Sequence, residues 1–437
     1  INTAQPPNLI KSDIQLQKAN LPLDAFQLSL DKLDFKFNGN LQNSSFPQGN
    51  GLLSFNGLGM EKNGAVSFLK GEMQIETQGE TISIKDWFIE NEGGDRINLT
   101  AKMENSLDGS RNLKLDLPMI SMAFLQKTFS PILPQGLKEG AMKGNLGLTL
   151  ALNQFLREGV SWDGELSLKE ISFTGKSQDT IFLINDVNGA IPIRNNSEPG
   201  ISLVSFVRNY GERDKLLNKK VFDSFLRASK QNRIQNKADY LTIGEIQYGF
   251  LRLENIECGL ELNKSKLNLS YLYYKLYEGQ AFGAGSLDLS GRKKFNLSLL
   301  FKDISLNSIS NSIPSAKDYI TGRISGLIWV REKGERLNTL DGAFDFRAID
   351  SKEPRRIAKA LLQKLGVKEK LLLRSSRKYD NGVVSGYIKD GVITFREFNI
   401  SNRILGVVQD LSIKVDEKRN SISVAHFLSV IRETAKR

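Results

Sequence analysis

Leu146, Leu148, Leu150 and Leu152 alternate with Gly147, Thr149 and Ala151, and the same period of two recurs along most of the chain. Leu28 and Leu30 lead to Leu33, Phe35 and Phe37. Ile97, Leu99, Ala101 and Met103 follow, then Leu113, Leu115 and Leu117, then Leu267, Leu269, Tyr271 and Tyr273, then Phe295, Leu297, Leu299 and Phe301. Successive side chains of a strand point to opposite faces, so each run predicts one apolar and one polar face. Turn-forming residues separate the runs at intervals of about 8–12 residues, which predicts antiparallel meanders. Several runs change phase, as from Leu28–Leu30 to Leu33–Phe37 and from Leu166–Leu168 to Ile171–Phe173. A phase change requires a bulge or a turn, since a plain strand would carry its apolar set to the wrong face. The expected fold is mainly β, a long, curled antiparallel sheet forming a groove.

Two segments break the pattern. Between Arg208 and Lys237 there are nine Lys/Arg and three Asp/Glu, and between Lys352 and Lys378 ten and two. The formal net charge of +11 therefore belongs to two patches, and the remainder is close to neutral. Leu216, Leu217, Val221, Phe222, Phe225 and Leu226 recur at helical spacing from Arg213 to Ile234, as do Ile357, Ala358, Leu361, Leu362 and Leu365 from Pro354 to Leu373. Two amphipathic basic helices are expected there. Arg355, Arg356, Lys359 and Lys364 are candidate contacts to a membrane surface, with capping of an open sheet end as the alternative. A shorter helix is expected from Met122 to Phe129, and Val424–Arg432 is ambiguous between strand and helix.

An internal repeat is also present. Leu113, Leu115, Ile120, Ser121, Pro134, Gly140, Gly144 and Leu146 echo Phe295, Leu297, Ile304, Ser305, Pro314, Gly322, Gly326 and Ile328, with both glycines offset by 182. Gly382, Gly386 and Ile388 form a third echo. Repetition of a supersecondary unit points to an architecture that grows by adding strands. Strands of five to eight residues, about 30 in all, would extend on the order of 140 Å at about 4.8 Å per strand. The expected divisions are 1–153, a first groove segment; 154–260, a β segment with a helical insertion at about 206–237; and 261–437, a second groove segment with a basic helix at about 354–373.

Catalytic signatures are scarce. With one His and one Cys, His- or Cys-rich zinc sites, iron–sulfur clusters and an internal disulfide are ruled out. Gly175-Lys176-Ser177 has Glu170 where a phosphate-binding loop needs its first glycine. His426 reads as a packed or surface residue, Cys258 as a small core residue, and Trp87, Trp162 and Trp329 as core or groove aromatics. No motif points to nucleic acid, and no apolar run reaches the roughly 18–20 residues of a spanning helix. Neither an enzyme nor a cofactor is expected.

Phe129-Ser-Pro-Ile-Leu-Pro-Gln-Gly-Leu137 leading to Gly140 and Gly144, Leu276-Tyr-Glu-Gly-Gln-Ala-Phe-Gly-Ala-Gly-Ser-Leu-Asp-Leu289 and Asp303-Ile-Ser-Leu-Asn-Ser-Ile309 carry a resemblance over residues 90–437. In these segments the chain resembles the AsmA-like superfamily of bacterial envelope proteins, with its TamB and YdbH branches, the YdbH-type C-terminal region being preferred. The resemblance implies a β-groove that shields phospholipid acyl chains between inner and outer membranes. It also implies a periplasmic location in a Gram-negative-type bacterium, with an inner-membrane anchor in a segment outside this sequence, which starts at Ile1. The expected groove residues are Leu146, Leu148, Leu150, Leu152, Leu267, Leu269, Tyr271, Tyr273, Phe295, Leu297, Leu299 and Phe301. The implied partners are phospholipids, a membrane surface and other envelope proteins pairing at a sheet edge. The alternative is an assembly factor that offers sheet edges to outer-membrane β-proteins.

Overall fold

The structure is a computed structural model. It describes residues 8–22, 27–41, 48–62, 65–78, 81–105, 111–133, 135–153, 161–177, 180–194, 227, 231, 240–290, 294–332, 337–364, 376–404, 408–414, 420–427 and 429. The protein is mainly β: a 21-stranded antiparallel sheet, not closed into a barrel, with a few short helices. Among the described residues no helix is long and apolar enough to cross a membrane. The chain divides into two units, residues 1–176 with 186–196, and residues 177–185 with 197–437. The division expected after residue 153 falls between two strands paired in register, and the one expected after 260 falls inside a strand.

The first unit holds β1 (Asn8–Pro22), β2 (Gln27–Leu41), β3 (Gln48–Lys62), β4 (Ala65–Gln78), β5 (Thr81–Asn91), β6 (Arg96–Asn105), β7 (Arg111–Ser121), β8 (Ala141–Asn153) and β9 (Ser161–Ser177). Each pairs with the next in sequence order. Strand β10 (Thr180–Arg194) spans the division between units. These strands are longer than the five to eight residues expected, because the phase changes are bulges inside strands and do not end them. In β3, Phe55 pairs with Gly71 and Leu58 with Leu69, so Asn56 and Gly57 oppose Lys70 alone. In β5, Ile84 pairs with Ala101 and Trp87 with Leu99; in β7, Leu117 pairs with Leu148 and Ile120 with Leu146. Two residues facing one bend and twist the strand and restore the apolar set to its original face. Left-handed residues mark the row: Lys18 (φ 54°), Gly57 (66°), Asp86 (48°), Gly144 (94°) and Glu170 (51°). The changes at Leu30–Leu33 and Leu168–Ile171 lie on it. Among the described residues, five of the nine strands of this unit (β1, β3, β5, β8 and β9) carry such a residue.

The second unit contains β11 (Tyr240–Tyr248), β12 (Leu251–Asn263), β13 (Lys266–Leu276), β14 (Gly279–Asp288), β15 (Phe295–Ser305), β16 (Ile320–Thr321), β17 (Arg323–Glu332), β18 (Leu340–Ile349), β19 (Arg356–Ile357), β20 (Arg377–Lys378), β21 (Asn381–Lys389), β22 (Val392–Ile404), β23 (Val408–Lys414) and β24 (Ser421–Ser423). The ladder runs in order from β11 to β15, then through β17, β18, β21 and β22. Strands β16, β19 and β20 form a separate three-stranded sheet. Residues 424–427, past β24, are helical.

The repeat is real in three dimensions, with a different offset. Helix α1 (Met122–Thr128) follows β7, and after α2 (Gln135–Glu139) comes β8; α3 (Leu306–Ser312) follows β15 and leads to β17. Ser121 and Ser305 are the N-caps, in extended conformation, accepting from Ala123 N and Ser308 N at 3.2 Å each. Both preceding strands carry a bulge three residues earlier, at Leu117/Ile120 and at Phe301/Ile304. Ser121 pairs with Asn145 and Ser305 with Arg323, so the equivalent glycines are Gly144 and Gly322, 178 apart. The sequence match of Gly144 to Gly326 is thereby corrected.

The expected helix from Pro354 to Leu373 is also corrected. Arg356–Ile357 is a strand, and α4 covers only Lys359–Lys364; residues 365–375 lie outside the described residues. Ile357 pairs with Ile320 and Arg377 and is fully buried, in a cluster with Leu362, Tyr379, Leu411 and Ile413. Neighbouring strands thus claim the segment that spacing assigned to a helix, a tertiary override of local pattern. The other expected basic helix, from Arg213 to Ile234, lies outside the described residues apart from Arg227 and Gln231, both helical.

Candidate functional site

The first unit presents one continuous apolar face. Cross-strand partners share a face, so the register can be read directly as rows. One row runs Phe37, Gly51, Ile75, Ile84, Ala101, Leu115, Leu150, Gly164, through eight strands. Beside it Met103, Leu113, Leu152 and Trp162 form a second row, and Leu117, Leu148 and Leu166 a third. Leu146, between Ile120 and Leu168, closes the set, so all four leucines expected in this unit share the face. They are neither buried nor fully exposed. That exposure fits side chains packed sideways on one another with no close-packed layer above them.

The reverse face is charged. Lys70 and Glu90 pair across strands at 2.8 Å, Lys32 and Asp34 along one at 2.6 Å, and Lys85 pairs with Glu76. Thr149, between Asp116 and Glu165, is exposed there.

On the apolar face, phenylalanine rings lie over cross-strand glycines. A Cβ on Gly71 would stand 2.5 Å from Phe55 Cζ, and in the second unit one on Gly386 would stand 2.8 Å from Phe344 Cζ. Phe346 lies over its own partner Gly326 in the same way. Glycine in a strand lets another group approach the backbone closely. The rings therefore lie down on the sheet, which keeps the apolar surface low.

In the second unit the apolar face carries Leu260, Leu269, Gly285, Leu297, Val330, Gly342, Ile388 and Ile393 in one row, and Leu272, Gly283, Leu299, Ile328, Phe344 and Gly386 in the next. Leu267 and Phe295 both flank this surface as partners on either side of Leu287, and Phe301 pairs with Gly326. Leu267, Leu269, Phe295, Leu297, Leu299 and Phe301 are all half-exposed.

Tyr271 and Tyr273 are not on this face. A bulge between Leu269 and Leu272 reverses the alternation, placing Tyr271 opposite Gly259 and Tyr273 between Glu257 and Phe282 on the reverse side. Tyr271 is fully buried there. Leu272, Tyr274 and Leu276 take over the apolar face, and the three-residue step from Leu269 to Leu272 was the signal in the sequence. The reverse face is itself covered at its centre: Leu300 is 0% exposed, Ser298 and Ala284 1%, Phe282 and Leu327 3%. The second unit therefore buries the side that alternation marked as polar at Ser298.

The basic candidates have separate roles. Arg355 is half-buried; its Nε donates to Ile349 O at 3.3 Å, and its terminal nitrogens meet Asp380 O and Asp350. Arg356 is exposed and Lys359 half-buried with a partner; of Lys364 only its place at the end of α4 is described. His426 is exposed, and Cys258 is buried on the apolar face between Leu241 and Leu272. Among the described residues no group of three or more His, Cys, Asp or Glu could hold a metal. Comparisons with protein-family models, curated proteins and solved structures give no match to this chain.

Proposed function

We propose that this chain binds and shields phospholipid acyl chains on its apolar β faces, as a lipid-transfer protein of a bacterial envelope. The observation that carries the reading is the apolar face that crosses eight strands of the first unit, on which Ile75, Ile84, Leu115, Leu148 and Leu150 are half-exposed, backed by a charged, ion-paired reverse face. Apolar surface of that extent facing water is rare in monomeric proteins and marks a binding surface. The low relief made by rings over glycines suits a flexible, unbranched chain, which needs a continuous floor more than a shaped pocket. The resemblance to AsmA-like proteins supports the same reading and carries with it a periplasmic location and traffic between inner and outer membranes.

Mass spectrometry of organic extracts from the purified protein tests it. Co-purified phospholipid, reduced when Leu148 and Leu150 are both changed to Asp, is the expected result. An extract free of lipid, with a protein that fails to acquire phospholipid from vesicles, would overturn the proposal.

A further inference from the structure

Toward its last strands the apolar face of the second unit changes character. Phe301 pairs with Gly326, Gly326 with Phe346, Phe346 with Val384 and Val384 with Phe398, one row across β15, β17, β18, β21 and β22. Phe301, Phe346 and Phe398 are half-exposed. On the same face Ile400 pairs with Ile413, and Asn402 with Leu411. Among the described residues β23 is paired in register with β22 alone, so its side chains should be the most open of the face. They are covered instead: Leu411 is 2% exposed and Ile413 8%.

The cover comes from the segment between β18 and β21. Ile357 of β19 and Leu362 of α4 form a buried cluster with Tyr379, Leu411 and Ile413, and Phe398 and Ile400 pack against it from the floor. The segment is tied down on both sides. Ala358 N donates to Tyr319 O at 2.8 Å, and Thr321 Oγ1 donates to Pro354 O at 2.6 Å. Glu353 accepts from Gly322 N at 3.1 Å and pairs with Arg323 at 3.3 Å. Tyr379 Oη donates to Thr321 O at 2.8 Å. With that hydroxyl engaged, Ile357, Leu362 and the Tyr379 ring make a wall of hydrocarbon across the end of the floor.

The wall belongs to the second copy of the repeat. Strands β7, β8 and β9 correspond to β15, β17 and β18. Residues 178–179 alone separate β9 from β10, whereas residues 350–380 separate β18 from β21. The inserted residues carry β19, α4 and β20.

We infer that the floor of Phe301, Phe346 and Phe398 holds the terminal part of a lipid acyl chain, whose methyl end stops against Ile357 and Leu362. The inference rests on the lipid-binding reading. The floor is low and aromatic. Phe346 lies over Gly326, with its ring centroid 5.7 Å from that of Phe301, and the Phe398 ring stands 6.3 Å from that of Phe395. A chain terminus has no polar atom to satisfy, so a blind end walled by hydrocarbon suits it and penalises a headgroup.

The full chain is loaded from vesicles containing phosphatidylcholine with a diazirine at the acyl terminus, or in a parallel sample with a diazirine on the headgroup. After irradiation the labelled residues are mapped by peptide mass spectrometry. The acyl-terminal probe is expected to label Phe346 and Phe398 and to leave Leu411 and Ile413 unlabelled, while the headgroup probe labels none of the four. Ile357→Ala combined with Leu362→Ala is expected to extend acyl labelling to Ile413. If that variant does not fold, the wild-type pattern decides alone. Acyl labelling of Leu411 or Ile413 in the wild type, or headgroup labelling of Phe398, overturns the inference. Labelling that still ends at Phe398 in the folded double variant overturns the assignment of the stop to Ile357 and Leu362. Label at Leu148 with none at Phe346 or Phe398 overturns the inference and leaves the lipid reading standing. No label anywhere on the apolar faces overturns both.

Discussion

Gly144 and Gly322 each stand one residue before the strand partner of a capping serine, and each has a left-handed backbone, at φ 94° and 115°. A Cβ on Gly144 would lie 2.5 Å from Glu170 O and one on Gly322 2.7 Å from Tyr379 Oη. Strain at φ and overlap with backbone act together at Gly144. Gly144→Ala is expected to destabilise the first unit by roughly 1–3 kcal/mol. Gly136→Ala, where an added Cβ meets nothing within 4 Å, should be silent. Thermal melting of the two variants beside wild type checks this, and equal midpoints would refute it.

Adjacent residues of β15 separate the two faces of the second unit. Leu299 is half-exposed on the apolar face, and Leu300 on the reverse face is 0% exposed. Leu300→Lys buries an unpaired ammonium and should unfold the unit, at a loss of several kcal/mol. Leu299→Lys can carry its charge to water along its own alkyl stem. It should keep the fold and interrupt lipid transfer. A denaturation curve and a vesicle-to-vesicle transfer assay on both variants check the pair, and similar unfolding by both would contradict an open apolar face.

Crosslinking gives a direct map of the first unit. A photoreactive side chain at Leu148 should capture lipid and one at Thr149, on the charged face, should not. Ser298 cannot serve as the solvent-facing control in the second unit, since it is 1% exposed. Equal capture at Leu148 and Thr149 would remove the distinction between the two faces.

The alternation of Leu146–Leu152 and of Phe295–Phe301 specified strands and faces correctly because period two is a local property of the backbone. The phase change at Leu168–Ile171 announced a bulge for the same reason, whereas at Leu30–Leu33 the strand keeps its register with both neighbours and only Asp31 is left out of the pairing. Tyr271 and Tyr273 were assigned to the wrong face because aromatic residues at i and i+2 concealed a bulge that Leu272, Tyr274 and Leu276 reveal. The segment at Ile357 misled because its spacing of apolar residues arises from a buried strand residue followed by a short helix. Ser298, small and polar, carries no local sign that Ala284 and Trp329 flank it on a covered face.

Arg355 and Arg356 are neighbours with opposite expected behaviour. Arg355 donates to the backbone oxygens of Ile349 and Asp380 and pairs with Asp350, tying together the segments on either side of β19 and β20. Arg355→Gln should lower the melting midpoint, by an amount corresponding to about 1–3 kcal/mol for unmade charged hydrogen bonds. Arg356→Gln, at an exposed position, should leave stability within about 0.5 kcal/mol. Any loss of binding to anionic liposomes should then follow Arg356 in the folded protein. Liposome binding that falls only in Arg355→Gln, in step with its melting midpoint, would assign the segment a structural role alone.

Cys258 lies 4% exposed on the apolar face of β12, and burial pushes its thiol up to about 11. The neutral form is favoured in the folded state, because a thiolate there would lose its hydration with no cation to replace it. Two consequences can be measured. The native protein should react with iodoacetamide far more slowly at pH 8 than the same chain in denaturant, since the thiolate is the nucleophile. The contribution to stability is fully present below the ordinary thiol range near pH 8.5 and is lost as pH rises through the folded value. Cys258→Ala should therefore flatten the alkaline limb of the stability profile between those two values, at the expense of a small cavity. Rapid alkylation of the folded protein at pH 8 would show that this part of the apolar face opens to water on the timescale of the reaction.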